Sequence, residues 1–315
     1  MKRAIIVGVH GQDGQLLYDL LLKLRYSIIG IDKKRMHCPP GISFKQVNIH
    51  KYAEVANMIK KFHPQEVYYL AGFHHSSEDL PIENVELLRR SYEVHVAGLA
   101  NFLEAIKSFW SKARLFYAAS SHIFGETKRE IQDENTRVNP NCIYGITKAA
   151  GLQLCRFYRS RYGIFAVAGI LYNHESVLRP ERFVSKKIIK GAINIKMGKQ
   201  KKLVLGDLHA VNDWGYAPDY VRAMHLILNN EPPDDFIIAT GKRHTVLDFV
   251  KVAFGYLGLV WELYVKEDRN ILCKQNFCRI GNSIKLRRIT GWKPSVNFKE
   301  MVKLLLVHGG LHEEK

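Results

Sequence analysis

The chain has 315 residues, 47% hydrophobic and 24% charged, with a formal net charge of +17. That length supports one large or two medium domains with a full core, and no apolar run approaches the ~20 residues of a membrane span. Ala4-Ile5-Ile6-Val7 is too short, and too soon followed by His10 and glycines, to be a signal peptide, so the expected compartment is the cytoplasm.

In chain order, strand-like apolar runs at residues 4–9, 27–31, 44–47, 66–71, 115–120 and 165–171 alternate with helical patterns. The first helix carries Leu16, Leu17, Leu20, Leu21 and Leu24 on one face, and residues 51–62, 84–108 and 144–162 read as further helices. Strand–helix alternation of this kind predicts an α/β fold with a doubly wound parallel sheet. After Tyr172 the pattern becomes irregular. A strand-like Phe236-Ile237-Ile238-Ala239 precedes a helix at about 246–255, and Gly291-Trp292-Lys293-Pro294 signals a turn before a last helix near 297–307. The expected division is a nucleotide-binding domain of residues 1–172 plus about 210–241, and a smaller α/β substrate lobe of about 173–209 plus 242–315.

Gly8-x-x-Gly11-x-x-Gly14 follows the first strand and opens the first helix. Glycines there let the backbone approach a pyrophosphate, which the free N–H groups and partial positive charge of a helix N-terminus attract. Asp32 ends the second strand, where a carboxylate accepts hydrogen bonds from ribose hydroxyls and favours NAD. Lys33, Lys34 and Arg35 follow at once and could pair a 2′-phosphate, which leaves NADP open.

Tyr144 and Lys148 stand at helical i and i+4, so the ammonium can sit beside the phenol and lower a pKa that starts near ~10. That arrangement predicts Tyr144 as an acid/base. The five cysteines (Cys38, Cys142, Cys155, Cys273 and Cys278) form no Cys-x-x-Cys pair, and the histidines are scattered, so reduced thiols and no metal site are expected. Between Arg179 and Lys202 nine Lys/Arg face one acid, Glu181. Such a stretch is a solvated basic face, a site for a diphosphate, or a nucleic-acid contact.

Gly11-Gln12-Asp13-Gly14, the Ser120-Ser121 pair, Tyr144-x-x-x-Lys148, Gly169-Ile170-Leu171-Tyr172-Asn173-His174-Glu175-Ser176, Asp213-Trp214-Gly215 and Gly291-Trp292-Lys293-Pro294 run in order along the chain. Together they resemble the extended short-chain dehydrogenase/reductases that modify nucleotide sugars, and most of all the GDP-mannose 4,6-dehydratase family. The resemblance implies a Rossmann sheet and a hydride moved between carbon 4 of the sugar and a nicotinamide. Tyr144 would be the acid/base, Lys148 would tune it and hold the nicotinamide ribose, and Ser120 would bond the sugar oxygen. The candidate cofactor-binding set is Gly8, Gly11, Gln12, Asp13, Gly14, Asp32, Lys33, Asn48, Ala71, Tyr144 and Lys148; the substrate set is His75, Ser120, Ser121, Asn173, Glu181, Val184, Lys187 and Asn212. The resemblance further implies a homodimer through helices at about 84–108 and 144–162, with a tetramer open.

The chain departs from this family where a glutamate normally removes the carbon 5 proton: it has His122. An imidazole is a base near neutral pH, so elimination of water stays chemically open, with His122 added to the catalytic set. The arginine expected before Asp213 is Asn212, and an Arg-Pro-x-Glu motif is missing around 272–275, with Arg182 and Arg279 as possible substitutes. The first expectation is a nucleotide-sugar 4,6-dehydratase acting on a GDP-mannose-like sugar; the alternative is an epimerase, 4-ketoreductase or 4-dehydrogenase. A nucleic-acid-binding protein on a degenerate scaffold is the third, and the intact Ser120, Tyr144 and Lys148 speak against it.

Overall fold

The computed structural model describes residues 1–33, 43–75, 82–127, 129–272 and 278–310. Runs of β-branched and aromatic residues form β1 (Arg3–Val7), β2 (Ser27–Ile31), β3 (Ser43–Lys45), β4 (Glu66–Tyr69) and β5 (Arg114–Ser120). After the short β6 (Ile131–Gln132) come β7 (Ala166–Leu171) and β8 (Asn173–Glu175). Seven strands make one all-parallel sheet in the order Asp235–Ile238, β7, β5, β4, β1, β2, β3. The order reverses at β1, between β2 and β4, and the crevice outside the strand ends at that point is where such sheets bind ligands.

Helices cover both faces of the sheet: α1 (Gln12–Lys23) and α7 (Ala217–Leu228) on one, α2 (Tyr52–Phe62), α4 (Gly98–Phe109) and α5 (Ile143–Tyr162) on the other. On α1 the buried positions are Leu17, Tyr18 and Leu21, whereas the predicted core residue Leu24 is exposed, because the helix ends at Lys23. The single helix expected at 84–108 is instead α3 (Asn84–Tyr92), a π-helical turn at Glu93–Ala97, and α4. A third apolar cluster lies beyond the sheet, formed by α6 (Val184–Lys196), α8 (Val246–Tyr256) and α10 (Phe298–His308) around Leu203, Leu205 and Trp214. The basic stretch, where the pattern looked irregular, contains α6: Ile188, Ile189, Ile193 and Ile195 are buried while Lys190 and Lys196 face out.

The short α9 (Ile284–Thr290) leads to the Gly291-Trp292-Lys293-Pro294 turn. Asp219, buried on α7, fastens that tail. Its carboxylate accepts from Ser295 N at 2.8 Å and Ser295 Oγ at 2.6 Å and pairs Arg222 at 3.1 Å, while its carbonyl accepts from the Trp292 indole at 2.9 Å. Replacing Asp219 by Ala removes the acceptor of both Ser295 donors and should cost about 1–2 kcal/mol in urea unfolding; a loss within error of zero would show that the tail is held by packing alone.

Candidate active site

The loop after β1 turns at Gly8, whose φ of +89° suits glycine alone. A Cβ on Gly8 would lie 2.9 Å from the Ala71 nitrogen, and one on Gly14 would lie 2.2 Å from the Gly8 carbonyl. Gly11 N–H closes the turn on that carbonyl at 3.1 Å, and Gly11 is the N-cap of α1. The backbone thus passes under a cleft of about 650 Å³ lined by Gly8, Gly11, Asp32, Lys33, Asn48 and Ala71. Asp32 accepts from His10 N at 3.1 Å and Lys33 N at 2.7 Å. His10 Nε2, on the same wall, is buried with no hydrogen-bond partner among the described residues. A side-chain-free cradle, an acid at the end of the second strand and an unmatched imidazole nitrogen fit a dinucleotide. Lys34 and Arg35 lie outside the described residues.

Gln12 and Asp13, expected at the cofactor, turn their side chains elsewhere. Gln12 donates to the His174 carbonyl at 3.1 Å and accepts from Ser176 Oγ at 2.9 Å; Asp13 meets His174 Nε2 at 2.9 Å. His174 Nδ1 lies 2.7 Å from the Tyr172 carbonyl, which only accepts, so this nitrogen carries a proton. Burial opposes charge on both members of the pair. Even so, the imidazolium, with help from Gln12 and Arg179, leaves Asp13 below its usual range, and Asp13 leaves His174 above its own.

A second cavity, of about 810 Å³, opens beside the first. Tyr144 and His122 line it, and behind that lining, where β5 stops, Ser120 Oγ accepts from His122 N at 3.3 Å and favours charge on Tyr144. Tyr144 and Lys148 share one face of α5, with the ammonium 5.7 Å from the phenol ring and donating to the Ala118 carbonyl at 2.8 Å. The expected depressed phenol is not what this arrangement produces. Burial pushes Tyr144 up to about 12 against the opposing pull of Arg179 and the Ser120 hydrogen bond, and burial pulls Lys148 down to about 7 against Asp13. Desolvation outweighs the neighbouring charge because Lys148 is buried and the half-buried Tyr144 is ringed by imidazoles.

Three imidazoles surround Tyr144, with ring centroids at 5.0 Å for His74, 5.3 Å for His95 and 5.5 Å for His122. His95, in the π-helical turn, accepts from Phe73 N at 2.9 Å, so it must donate through Nδ1 to Thr147 Oγ1, 2.8 Å away. Burial, Lys148 and His74 hold its pKa well below 6.5, and it is neutral. His122 Nδ1 lies 3.7 Å from Cys142 Sγ and its Nε2 lies 3.4 Å from an Arg279 nitrogen. A guanidinium only donates, so His122 Nε2 offers its lone pair to Arg279.

Of the other predicted substrate residues, His75, Asn173, Val184 and Asn212 line this cavity, and Asn173 donates to Asn212 at 3.1 Å. Ser121 is buried and off its wall, Lys187 is off the wall, and Glu181 is on the surface, paired with Lys190 at 2.7 Å. Arg182 and Arg279, the possible substitutes for the missing arginine, line it as well, and the structure adds Arg179, His74 and Cys142. A lone polar residue in an apolar helical stretch could have flagged His95. Arg279, named from the sequence only as a possible substitute for the missing arginine, reaches the site because Ile280–Gly281 pairs with β6. Among the described residues no group of His, Cys, Asp and Glu could hold a metal ion.

A glycine-turn dinucleotide cleft opening onto a buried Ser–Tyr–Lys cluster defines a nucleotide-dependent α/β enzyme with a separate substrate cavity. The GDP-mannose 4,6 dehydratase family model matches residues 5–305, and the chain belongs to that family, whose relatives are dehydratases of nucleotide sugars. GDP-mannose 4,6 dehydratase 2 of Arabidopsis thaliana is 36% identical over 97% of this chain and 86% of its own length. The human GDP-mannose 4,6 dehydratase is 30% identical over 95% and 89%. In fold, the chain is similar to the Thermotoga maritima UDP-glucose 4-epimerase solved with UDP-glucose (TM-score 0.83, 21% identity, 96% of this chain and 97% of that one). It is also similar to the Bacillus anthracis dTDP-glucose 4,6-dehydratase solved with NAD (TM-score 0.82, 19% identity, 97% and 96%). No helix among the described residues is long and apolar enough to cross a membrane.

The Asp13–His174 pair gives a pH signature. A raised His174 stabilises the fold fully below 6.5, the value of a free imidazole, and its contribution is lost as pH rises through its folded pKa. A lowered Asp13 contributes fully above 3.8 and is lost as pH falls through its own. Urea midpoints should therefore fall from neutral to mildly alkaline pH in the native chain and change less in His174→Gln; parallel curves would remove His174 as the cause.

Proposed function

We propose that this chain is a nucleotide-sugar 4,6-dehydratase acting on a GDP-mannose-like hexose or heptose, with NAD as cofactor and NADP as a second possibility. The observation that carries this reading is the meeting of Ser120, Tyr144 and Lys148 in one buried cluster between a dinucleotide-shaped cleft and a cation-lined cavity. In this reading the sheet domain (residues 1–172 and about 210–241) holds the cofactor and the remaining lobe holds the nucleotide. Gly8, Gly11, Gly14, Asp32, Lys33, Asn48 and Ala71 hold the dinucleotide, which supplies a hydride acceptor.

Tyr144 takes the proton of the sugar's 4-hydroxyl as carbon 4 gives up hydride, and Ser120 steadies the oxygen. Lys148, drawn down to about 7 and bonded to the Ala118 carbonyl, stands beside Tyr144 as a neutral amine that takes the phenol's own proton as the phenol takes the sugar's. The 4-keto group acidifies carbon 5. His122 then removes the carbon 5 proton as the hydroxyl leaves carbon 6 with the proton that Tyr144 had taken, and as hydride returns to carbon 6 His122 gives its proton back to carbon 5. Arg179, Arg182 and Asn173 serve the diphosphate, and Lys187, off the cavity wall, does not reach it directly.

One observation favours the second reading, in which reaction ends at carbon 4 as epimerisation, ketoreduction or dehydrogenation. His122 Nε2 is already the acceptor for Arg279, and an imidazolium formed there would sit against a guanidinium. Mass spectrometry after incubation with GDP-mannose, GDP-manno-heptose and UDP-, CDP- and dTDP-sugars separates the two. A product lighter by one water establishes the dehydratase; unchanged mass with altered retention, or a two-hydrogen difference, establishes the alternative.

Tyr144→Phe should lower carbon 4 oxidation by roughly 10²–10⁴-fold in either case. His122→Ala should abolish loss of water and spare carbon 4 oxidation; equal loss of both would make His122 a wall of the site and not its base.

Exposed apolar side chains on α3 (Val85, Leu88, Tyr92) and α5 (Phe157, Tyr162) support a homodimer through these helices. Sedimentation should show a dimer that Tyr92→Glu with Phe157→Glu converts to monomer; an unchanged sedimentation coefficient would place the interface elsewhere.

A further inference from the structure

A third cavity, of about 770 Å³, lies in the C-terminal lobe, apart from the two that hold the reaction. Its walls come from the residues before and within α8, from α9 and from the turn into α10. Lys242, Lys251, Arg287, Lys293 and Lys299 all line it.

None of these four lysines is ion-paired among the described residues. Arg287 spends its hydrogen bonds on neutral oxygens, Ser283 Oγ at 3.1 Å and the Thr240 carbonyl at 3.0 Å, and keeps its charge uncompensated. The cleft holds two carboxylates, Asp248 and Glu300, and each is taken up in a capping box: Asp248 accepts from Thr245 N at 2.8 Å and Glu300 from Asn297 N at 2.9 Å. Five cations against two occupied acids leave a concave surface with a positive field. The helix starts add little, because the caps already consume their N–H groups.

The floor is aromatic. His244 stacks on Phe298 with centroids 3.8 Å apart and planes at 8°, and Phe298 stacks in turn on Trp214 at 6.1 Å. Burial holds His244 below its ordinary pKa, so it is a flat neutral ring. Cations around a stacked ring floor, in a cavity of about 770 Å³, suit a small phosphate ester better than an extended polymer. We propose that this cleft is a second anion site that binds a small polyphosphate or nucleoside polyphosphate, distinct from the substrate's own diphosphate site.

The site has a built-in connection to the first. Trp214 lines both the substrate cavity and this cleft, and in the antiparallel pair that crosses the wall, Asn212 on the substrate side is opposite His244 on the cleft side. A ligand that presses on His244 and Phe298 presses on the segment carrying Asn212 and Trp214. An occupied cleft therefore alters the KM for the nucleotide sugar more than kcat.

The test titrates the purified full chain with tripolyphosphate and with ATP, read by calorimetry and by Trp fluorescence. Lys251→Glu with Lys299→Glu should weaken binding at least about tenfold and leave turnover without added anion unchanged. Unaltered binding in that variant, with loss in Arg182→Glu, would put the anion in the substrate cavity and overturn the proposal. Tighter binding of a single-stranded oligonucleotide than of either small anion, lost in the same lysine variant, would overturn the ligand class. These readouts do not depend on which sugar reaction the active site performs.

Discussion

The arrangement of the whole site depends on a buried contact between the start of the first helix and the first strand beyond the sheet. Asp13 and His174 face each other at 2.9 Å while Gln12 bridges the His174 carbonyl and Ser176. His174 also stacks on Tyr220 of α7 at 4.6 Å. The glycine turn beneath the cofactor cleft and the Asn173 wall of the substrate cavity are thereby fixed to one another. An ion pair at this depth is costly to form without support, and here each member has additional hydrogen bonds that offset the loss of water. The two charges also reach the reacting groups: Asp13 favours charge on Lys148 and disfavours it on Tyr144.

The sheet was legible because its signals are local. A parallel strand buried on both faces has to be apolar along its length, and glycines spaced between a strand and a helix N-terminus shape a turn that a pyrophosphate can approach. The same locality revealed Tyr144 and Lys148, since i and i+4 on a helix are neighbours whatever else the fold does. The roles of Gln12 and Asp13 were not legible, because their partners lie more than 160 residues away. Periodicity also overlooked α6, whose lysines mask an isoleucine stripe, and could not register the π-helical turn, which shifts the helix by a residue without altering its composition.

Burial decides the electrostatics of the reacting cluster more than pairing does. Position alone suggested a phenol lowered by its lysine, but Lys148 is buried and Tyr144 half-buried among rings, and each moves toward its neutral form. His122 illustrates a different limit. As a residue type it is a competent base, and only the arrival of Arg279 from a strand late in the chain shows that its lone pair is engaged.

The π-helical turn has a mechanical consequence. It sets His95 where one ring joins the backbone of Phe73 to Thr147, and so joins the segment leaving β4 to the first turn of α5. Residues 71 and 72 of that segment border the cofactor cleft and residues 73–75 border the substrate cavity. One imidazole thus acts as a pin through a lever whose two arms reach separate ligands. A segment without regular secondary structure acquires a protected amide at Phe73, and neither arm can swing without carrying the helix that bears Tyr144.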